Sequence, residues 1–342
     1  MAFPVAYLSR PGVVLPAARL SNDDVVQRIR ARYGGSEQDW PRVEAGIRTV
    51  FERCNSQYRH IEEDAGVRVG DFAAQAARAC LDTNGVAATA VDLVVYGGIA
   101  REYFEPATAM EVAAKVGVRE PVHAFDVTSA CAGLLEAVQI GCAYLAMNPR
   151  IETVLVAAGE LTRQFLGYDV QSPAELETKV AGLTIGNAAA AWLVRREPFA
   201  NGCARILDMN TFSLPSQWGL CQAPIDGTFT SHSHELFKLN SHVPGEIQRL
   251  LARVGWTVAD VDHFVFHQPS DHMVSKVLRD LGAGADQAVR IHHLYGNTSS
   301  TTVAVAMNHL LAEREVRGGD RLVFCSAAAG FSMVTAVAEW VA

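Results

Sequence analysis

Residues 85–96 read GVAATAVDLVVY and residues 255–266 read GWTVADVDHFVF, and the two align without a gap at an offset of 170. Gly85/Gly255, Val91/Val261, Asp92/Asp262, Val95/Val265 and Tyr96/Phe266 match. Each segment follows an amphipathic helical pattern, Asp71–Asp82 or Pro244–Val254, and each ends in a strand-like apolar run. A second pair, TVLV (Thr153–Val156) and RLVF (Arg321–Phe324), recurs at a similar spacing, and the turn-to-helix step at Cys131 is matched with that at Asn297. One match between short apolar strands is weak, but several in the same order point to a duplicated α/β unit.

Beyond the repeated segments, the strand-like runs Val91–Tyr96, Ala124–Val127, Thr153–Ala157, Phe264–Phe266 and Leu322–Cys325 alternate with helical segments such as Asp71–Thr83 and Cys131–Met147. That alternation means an α/β fold. The repeat divides the chain into halves 1–195 and 196–342. Halves joined about a pseudo-twofold axis would set Cys131 and Asn297 on two sides of one cleft. Arg163–Val180 and Pro215–His242 have no counterpart in the repeat, and long insertions of this kind are expected to form lids or binding walls.

Composition narrows the function. A chain of 342 residues, 49% of them hydrophobic, can bury a large core, which excludes a disordered protein. The net charge of −8, without a Lys/Arg cluster, leaves no electrostatic footprint for nucleic acid or an anionic membrane. The opening MAFPVAYLSRPGVVLP lacks the basic start and apolar core of a leader, and the most apolar helical stretch, Ala181–Val194, is too short to span a bilayer. A soluble cytoplasmic protein is expected. Its seven cysteines are odd in number and lack C-x-x-C spacing, so they read as reduced thiols without a zinc site.

Five stretches could carry chemistry. In VTSACAG (127–133), Cys131 opens a helix among small residues, where the helix N-terminus favours thiolate; a free cysteine is also often a buried, inert residue. His267 leaves a strand end in FVFHQPS, a position that projects into a crevice, whereas the pairs His232/His234 and His292/His293 lack the carboxylate or cysteine partners of a metal site. Asn297 in YGNTSSTT stands where a helix begins, as an N-cap or as a cleft residue. SAAAGFS (326–332) leaves backbone N–H groups open to a ligand, as in an oxyanion hole, or simply packs two layers closely. Glu105, in REYFEPATA (101–109), lies beyond a strand end between an aromatic residue and a proline.

FDVTSACAG, FHQPS, YGNTSS thirty residues after the histidine, and the closing AAAGF together resemble the Cys-His-Asn signature of β-ketoacyl-ACP synthase III and its relatives in the thiolase superfamily. The resemblance runs over nearly the whole chain, including LTIGNAAAAWLV (183–194) and ELFK (235–238). It implies a thiolase fold, a duplicated five-layer αβαβα arrangement that forms a homodimer. It also implies that Cys131 is the acylated nucleophile, that His267 and Asn297 polarise the second thioester, and that the backbone N–H groups of Cys131 and Ala329 form the oxyanion hole. No cofactor would be bound permanently; the substrates would be thioesters of coenzyme A or phosphopantetheine, with an acyl carrier protein among the partners considered. Phe104, Arg163, Phe237 and Ser270 are expected to contact substrate.

The chain departs from the family pattern in three places. The glycine-rich closing loop is Ala327-Ala328-Ala329-Gly330, and His272 stands where an arginine docks the carrier protein, which puts such docking in doubt. Glu105 replaces an aromatic residue that closes the partner subunit's acyl pocket. In this feature the chain looks more like the thiolase-type enzymes that join two acyl-CoAs head to head in olefin and β-lactone pathways, and HMG-CoA synthase is similar in carrying a glutamate in this region. The expected reaction is a ping-pong Claisen condensation through acyl-Cys131, with Glu105 as the base that activates the second substrate. Acyl transfer to an alcohol, amine or carrier, and a catalytically silent subunit of a heterodimer, are the alternatives.

Overall fold

The computed structural model describes residues 3–164, 166–225 and 227–342, with the side chain of Gln164 also outside that description; Phe165 and Asp226 fall within the two insertions. The strand Thr153–Glu160 is buried at all of its positions, the signature of a strand covered on both faces. It pairs in parallel with Leu93–Tyr96, which pairs in parallel with His123–Asp126 at the sheet edge. At the other end His263–Phe266 pairs in parallel with Arg321–Ala328. Between them run the antiparallel strands Ala188–Arg195, Cys203–Ser213 and Ser332–Val341, and the short strand Ala6–Leu8 pairs with both Ala188–Arg195 and Cys203–Ser213, so nine strands form one hydrogen-bonded path and Gly12–Val14, beside Ala188–Arg195, is the tenth strand of the sheet.

Strand alternation sorts the side chains into layers. Val154, Val156 and Ala158 face a central core that also holds Leu322 and Phe324, whereas Leu155 and Ala157 face an outer core under the helices Val69–Thr83 and Thr108–Val116. Val323 and Cys325 face a second outer core under His242–Arg253 and Asp271–Leu281. The central core is filled by two helices, Gly133–Met147 and Thr302–Glu313. Helix, sheet, helix pair, sheet, helix is the expected five-layer order. A fourth apolar cluster joins the helices Asn22–Arg32 and Trp40–Cys54 to Tyr168, Val170, Leu176 and Val180 of the first insertion and to Leu183 just after it.

The helix expected over Ala181–Val194 is absent: a 3-10 turn, Val180–Thr184, is followed by the strand Ala188–Arg195. Four consecutive alanines favour a helix locally. Here they lie between paired strands, and their small side chains are fully buried under helices on both faces. Tertiary packing overrides propensity. Among the described residues the helical run long and apolar enough to cross a membrane is instead Ala130–Met147, and it packs Leu134, Val138 and Cys142 into the central core.

Both central helices are entered the same way. A 3-10 turn, Ala130–Ala132 or Ser299–Thr301, precedes each one, and its first residue has a positive φ, 45° at Ala130 and 55° at Ser299. This register sets Cys131 level with Ser300 and corrects the sequence alignment with Asn297. Asn297 lies three residues earlier, level with Thr128.

Gly133, the first residue of its helix, is seated against the end of Leu93–Tyr96. A Cβ at Gly133 would lie 2.1 Å from the carbonyl oxygen of Gly97, and one at Gly97 would lie 2.4 Å from that of Gly133. Helix propensity alone would make Gly133→Ala stabilising by about 1 kcal/mol. The clash is with backbone, which cannot yield as a side chain would, so this substitution is expected to lower the unfolding free energy by about 1–3 kcal/mol in urea denaturation. A variant as stable as the wild type would show that the helix is not seated in this way.

Candidate active site

The ends of these elements converge on an apolar cavity of about 570 Å³. Cys131, His267 and Asn297 all line it, together with Thr128, Ser299 and the hairpin tip Ala327–Phe331. Ala329, expected to supply an oxyanion-hole N–H, therefore lines the same cavity as Cys131. Arg53 and Cys54, from the end of Trp40–Cys54, and Met273 and Val277, from Asp271–Leu281, line the cavity too.

Asn297 is held by its backbone. Its N–H donates to the carbonyl of Thr184 at 2.9 Å, and its carbonyl accepts from Gly186 N–H at 3.0 Å. The crossing is so close that a Cβ at Gly186 would lie 2.3 Å from Tyr295 O, and one at Gly296 the same distance from Thr184 O. This accounts for the glycine in both IGN and YGN. The side-chain Oδ1 of Asn297 accepts from Ser299 N–H at 2.9 Å, which orients the amide. Its NH2 end, without a hydrogen bond among the described residues, is left to donate into the cavity.

His267 follows directly on its strand, with its backbone N–H on Cys325 O at 2.8 Å. His267 is 8% exposed, and its Nδ1 has no partner among the described residues. Burial, with a smaller contribution from the nearby His292, pushes its pKa from the ordinary 6.5 down to about 3. His267 is thus a neutral imidazole at physiological pH.

Cys131 departs from the expectation of a ready thiolate. Burial foremost, and then the neighbouring Cys221, push its pKa up to about 12, so the helix N-terminus is outweighed and the resting group is a thiol. Ser299 Oγ lies 3.8 Å from Sγ, and Ser326 Oγ donates to the carbonyl of Cys131 at 2.7 Å. The site at rest is therefore uncharged at both its thiol and its imidazole.

Other expected residues are not brought to the cavity. Glu105 and Phe104 are exposed on the loop before Thr108–Val116, and Phe104 is 80% exposed. Arg163 donates to the carbonyls of Asp64 and Val67 and pairs with Glu102, so its charge is engaged away from the cavity wall. Phe237 packs at a tilt against His272, with ring centroids 5.0 Å apart, and Lys276 lies over its ring. Ser270 does line the cavity, but its hydroxyl caps the helix Asp271–Leu281 by accepting from Met273 N–H at 3.2 Å.

Sequence reasoning passed over Ser299, Ser326 and Glu160. Glu160 is fully buried at the end of Thr153–Glu160, where it accepts from Ile99 N–H at 3.0 Å and from Ser300 Oγ, and burial raises its pKa. A lone acid closing the apolar run TVLVAAGE was the available signal. Among the described residues, no three His, Cys, Asp or Glu side chains form a group that could hold a metal ion.

Residues 45–197 match the family described as thiolase, N-terminal domain, and residues 251–340 match 3-oxoacyl-[acyl-carrier-protein (ACP)] synthase III C terminal. The chain is 25% identical over 334 residues to β-ketoacyl-[acyl-carrier-protein] synthase III 2 of Lactiplantibacillus plantarum, covering 95% of this chain and 96% of the relative. It is 27% identical over 341 residues to the synthase III of Rhodospirillum centenum, covering 96% and 97%. Its fold is that of OleA from Xanthomonas campestris. A cerulenin-bound OleA superposes with a TM-score of 0.90 at 21% identity over 99% of this chain and 98% of that one. An OleA variant with bound lauric acid and lauroyl-CoA gives 0.89 at 21%, over 99% and 100%.

The burial of His267 has a consequence for pH. A histidine whose folded pKa lies below its unfolded value binds fewer protons in the native state, so stability is full above about pH 6.5 and falls as the pH drops toward 3. In urea denaturation, His267→Gln should lose less stability than the wild type between pH 7 and pH 4.5. Parallel curves would show that the ring is not held neutral.

Proposed function

Because this chain belongs to the β-ketoacyl-ACP synthase III-like branch of the thiolase superfamily and is an acyltransferase, we propose that it condenses two acyl thioesters through an acyl-Cys131 intermediate, with Glu105 as the base for the second step. The observation that carries this reading is the convergence of Cys131, His267 and Asn297 on one apolar cavity. An alkyl chain of a thioester suits walls of this character. The lauroyl-CoA held by the OleA structure supports coenzyme A thioesters as the substrate class, and the synthase III relatives support carrier-bound ones.

In the first half-reaction Cys131 Sγ attacks the thioester carbonyl, the coenzyme or carrier leaves as its thiol, and that thiol takes the proton Cys131 loses. The N–H groups of Cys131 and Ala329 stabilise the oxyanion. In the second half-reaction the carbonyl oxygen of the other thioester lies between His267 Nε2–H and Asn297 Nδ2–H, which lowers the cost of the α-carbanion that attacks acyl-Cys131. Both donors are neutral, so their strength rests on position and on the low dielectric of the cavity.

Glu105 reaches this centre from a second copy of the chain. His123–Asp126 is an edge strand and is only partly covered, unlike the fully buried Leu93–Tyr96 beside it. The neighbouring loop exposes Tyr103 and Phe104 at 43% and 80%, and the helix that follows it exposes Met110 at 50%. An open edge next to apolar side chains supports a homodimer across this face. The same reading divides the chain into halves at 195/196, with the nucleophile in the first and the polarising pair in the second, and places the enzyme in the cytoplasm.

Two experiments test it. Intact mass spectrometry after incubation with a panel of acyl-CoAs should show one acyl adduct, absent in Cys131→Ala; an adduct persisting in that variant refutes the assignment of the nucleophile. Cys131→Ala and Glu105→Gln should each abolish formation of a β-keto product from simple acyl thioesters. Mixed after subunit exchange, they should recover roughly a quarter of wild-type turnover, because half the dimers are mixed and one of their two sites is intact. Full activity of Glu105→Gln alone would remove it as the base.

A further inference from the structure

His267 and Asn297 must stand at a fixed separation to grip one carbonyl oxygen, yet they sit on different loops. The residue after His267 shows how the two are tied. Gln268 is fully buried, its Nε2–H donates to Val289 O at 2.8 Å, and its Oε1 accepts from Ile291 N–H at 2.9 Å. Its backbone carbonyl faces Nδ1 of His292 at 3.0 Å. A carbonyl only accepts, so the proton of His292 is on Nδ1. These three bonds staple the turn after His267 to residues 289–292, which lead within five residues to Asn297 through the helix His292–Tyr295.

His292 is an unusual choice for this place. It is fully buried, and its Nε2 has no partner among the described residues, so the ring bears a desolvation cost for the one bond its Nδ1 makes. Resting on the reading of His267 and Asn297 as the polarising pair, we propose that His292 is a positioning residue: through Gln268 it fixes the distance and ring orientation of His267 relative to Asn297. It touches no substrate, since it does not line the cavity. Its effect therefore belongs to the condensation half-reaction and not to acylation of Cys131.

His292→Leu removes the donor and leaves the Gln268 carbonyl buried and unpaired, whereas in His292→Asn the amide NH2 takes the place of Nδ1–H. In single-turnover assays the Leu variant should acylate Cys131 within about twofold of the wild type while kcat for condensation falls about tenfold or more, and the Asn variant should return to within about threefold. Unimpaired condensation in the Leu variant, an equal loss in both half-reactions, or no rescue by asparagine would each overturn the proposal. If the Leu variant does not fold, the Asn variant decides: wild-type-like condensation supports the clamp, and its loss overturns it. Imidazole ¹⁵N NMR of His267, identified by its absence in His267→Asn, gives a readout independent of turnover. The wild type and the Asn variant should show one neutral tautomer and the Leu variant an averaged signal; an unchanged signal in the Leu variant overturns the clamp. Failure of the wild type to acylate or condense, with this spectral pattern intact, counts against the proposed function and leaves the clamp standing.

Discussion

The site exists because backbone passes backbone with no side chain between. Gly97 against Gly133 lets the helix that carries Cys131 begin directly on the end of the central strands. Gly186 and Gly296 let the segment before Asn297 cross the one after Thr184, where two hydrogen bonds close the crossing. A methyl group at any of the four would collide with main chain at 2.1–2.4 Å. The nucleophile and its opposing amide are thus placed by the rigid parts of the fold, so their spacing does not depend on loop conformation.

The same close approach decides the electrostatics. Packing the two helix starts into the centre removes water from Cys131 and His267 together, which raises one pKa and lowers the other until both groups are neutral. An ion pair of thiolate and imidazolium would need more compensation than the apolar walls offer. A neutral resting site suits neutral thioesters, because charge then appears only as the reaction proceeds, where preorganised N–H donors act most strongly.

Much of this was legible in the sequence. The repeated strand segments, the alternation of helix and strand, and the motifs around Cys131, His267 and Asn297 all encode local structure at their own positions. What was not legible depended on packing between distant segments. AAAAWLV carries helix propensity and became a strand because paired strands and helices surround it. The match of Cys131 with Asn297 failed by three residues, since the left-handed Ala130 and Ser299 that set the register leave no mark that residue type alone reveals. Arg163 and Phe237 were drawn toward substrate by lying in insertions, yet their partners, the carbonyls of Asp64 and Val67 and the ring of His272, are remote in sequence.

Glu160 sharpens the question of the base. It is a carboxyl buried in the interior and close enough to influence Cys131. Yet it accepts from Ile99 N–H and Ser300 Oγ, bonds that hold the cavity wall to the second central helix, and it does not line the cavity. Taking a proton from substrate would require it to release those donors in a place where no water can replace them. A carboxylate that must gain and lose a proton in each cycle is better held outside the core, on an exposed loop such as that of Glu105, and brought to the cavity by assembly of two chains.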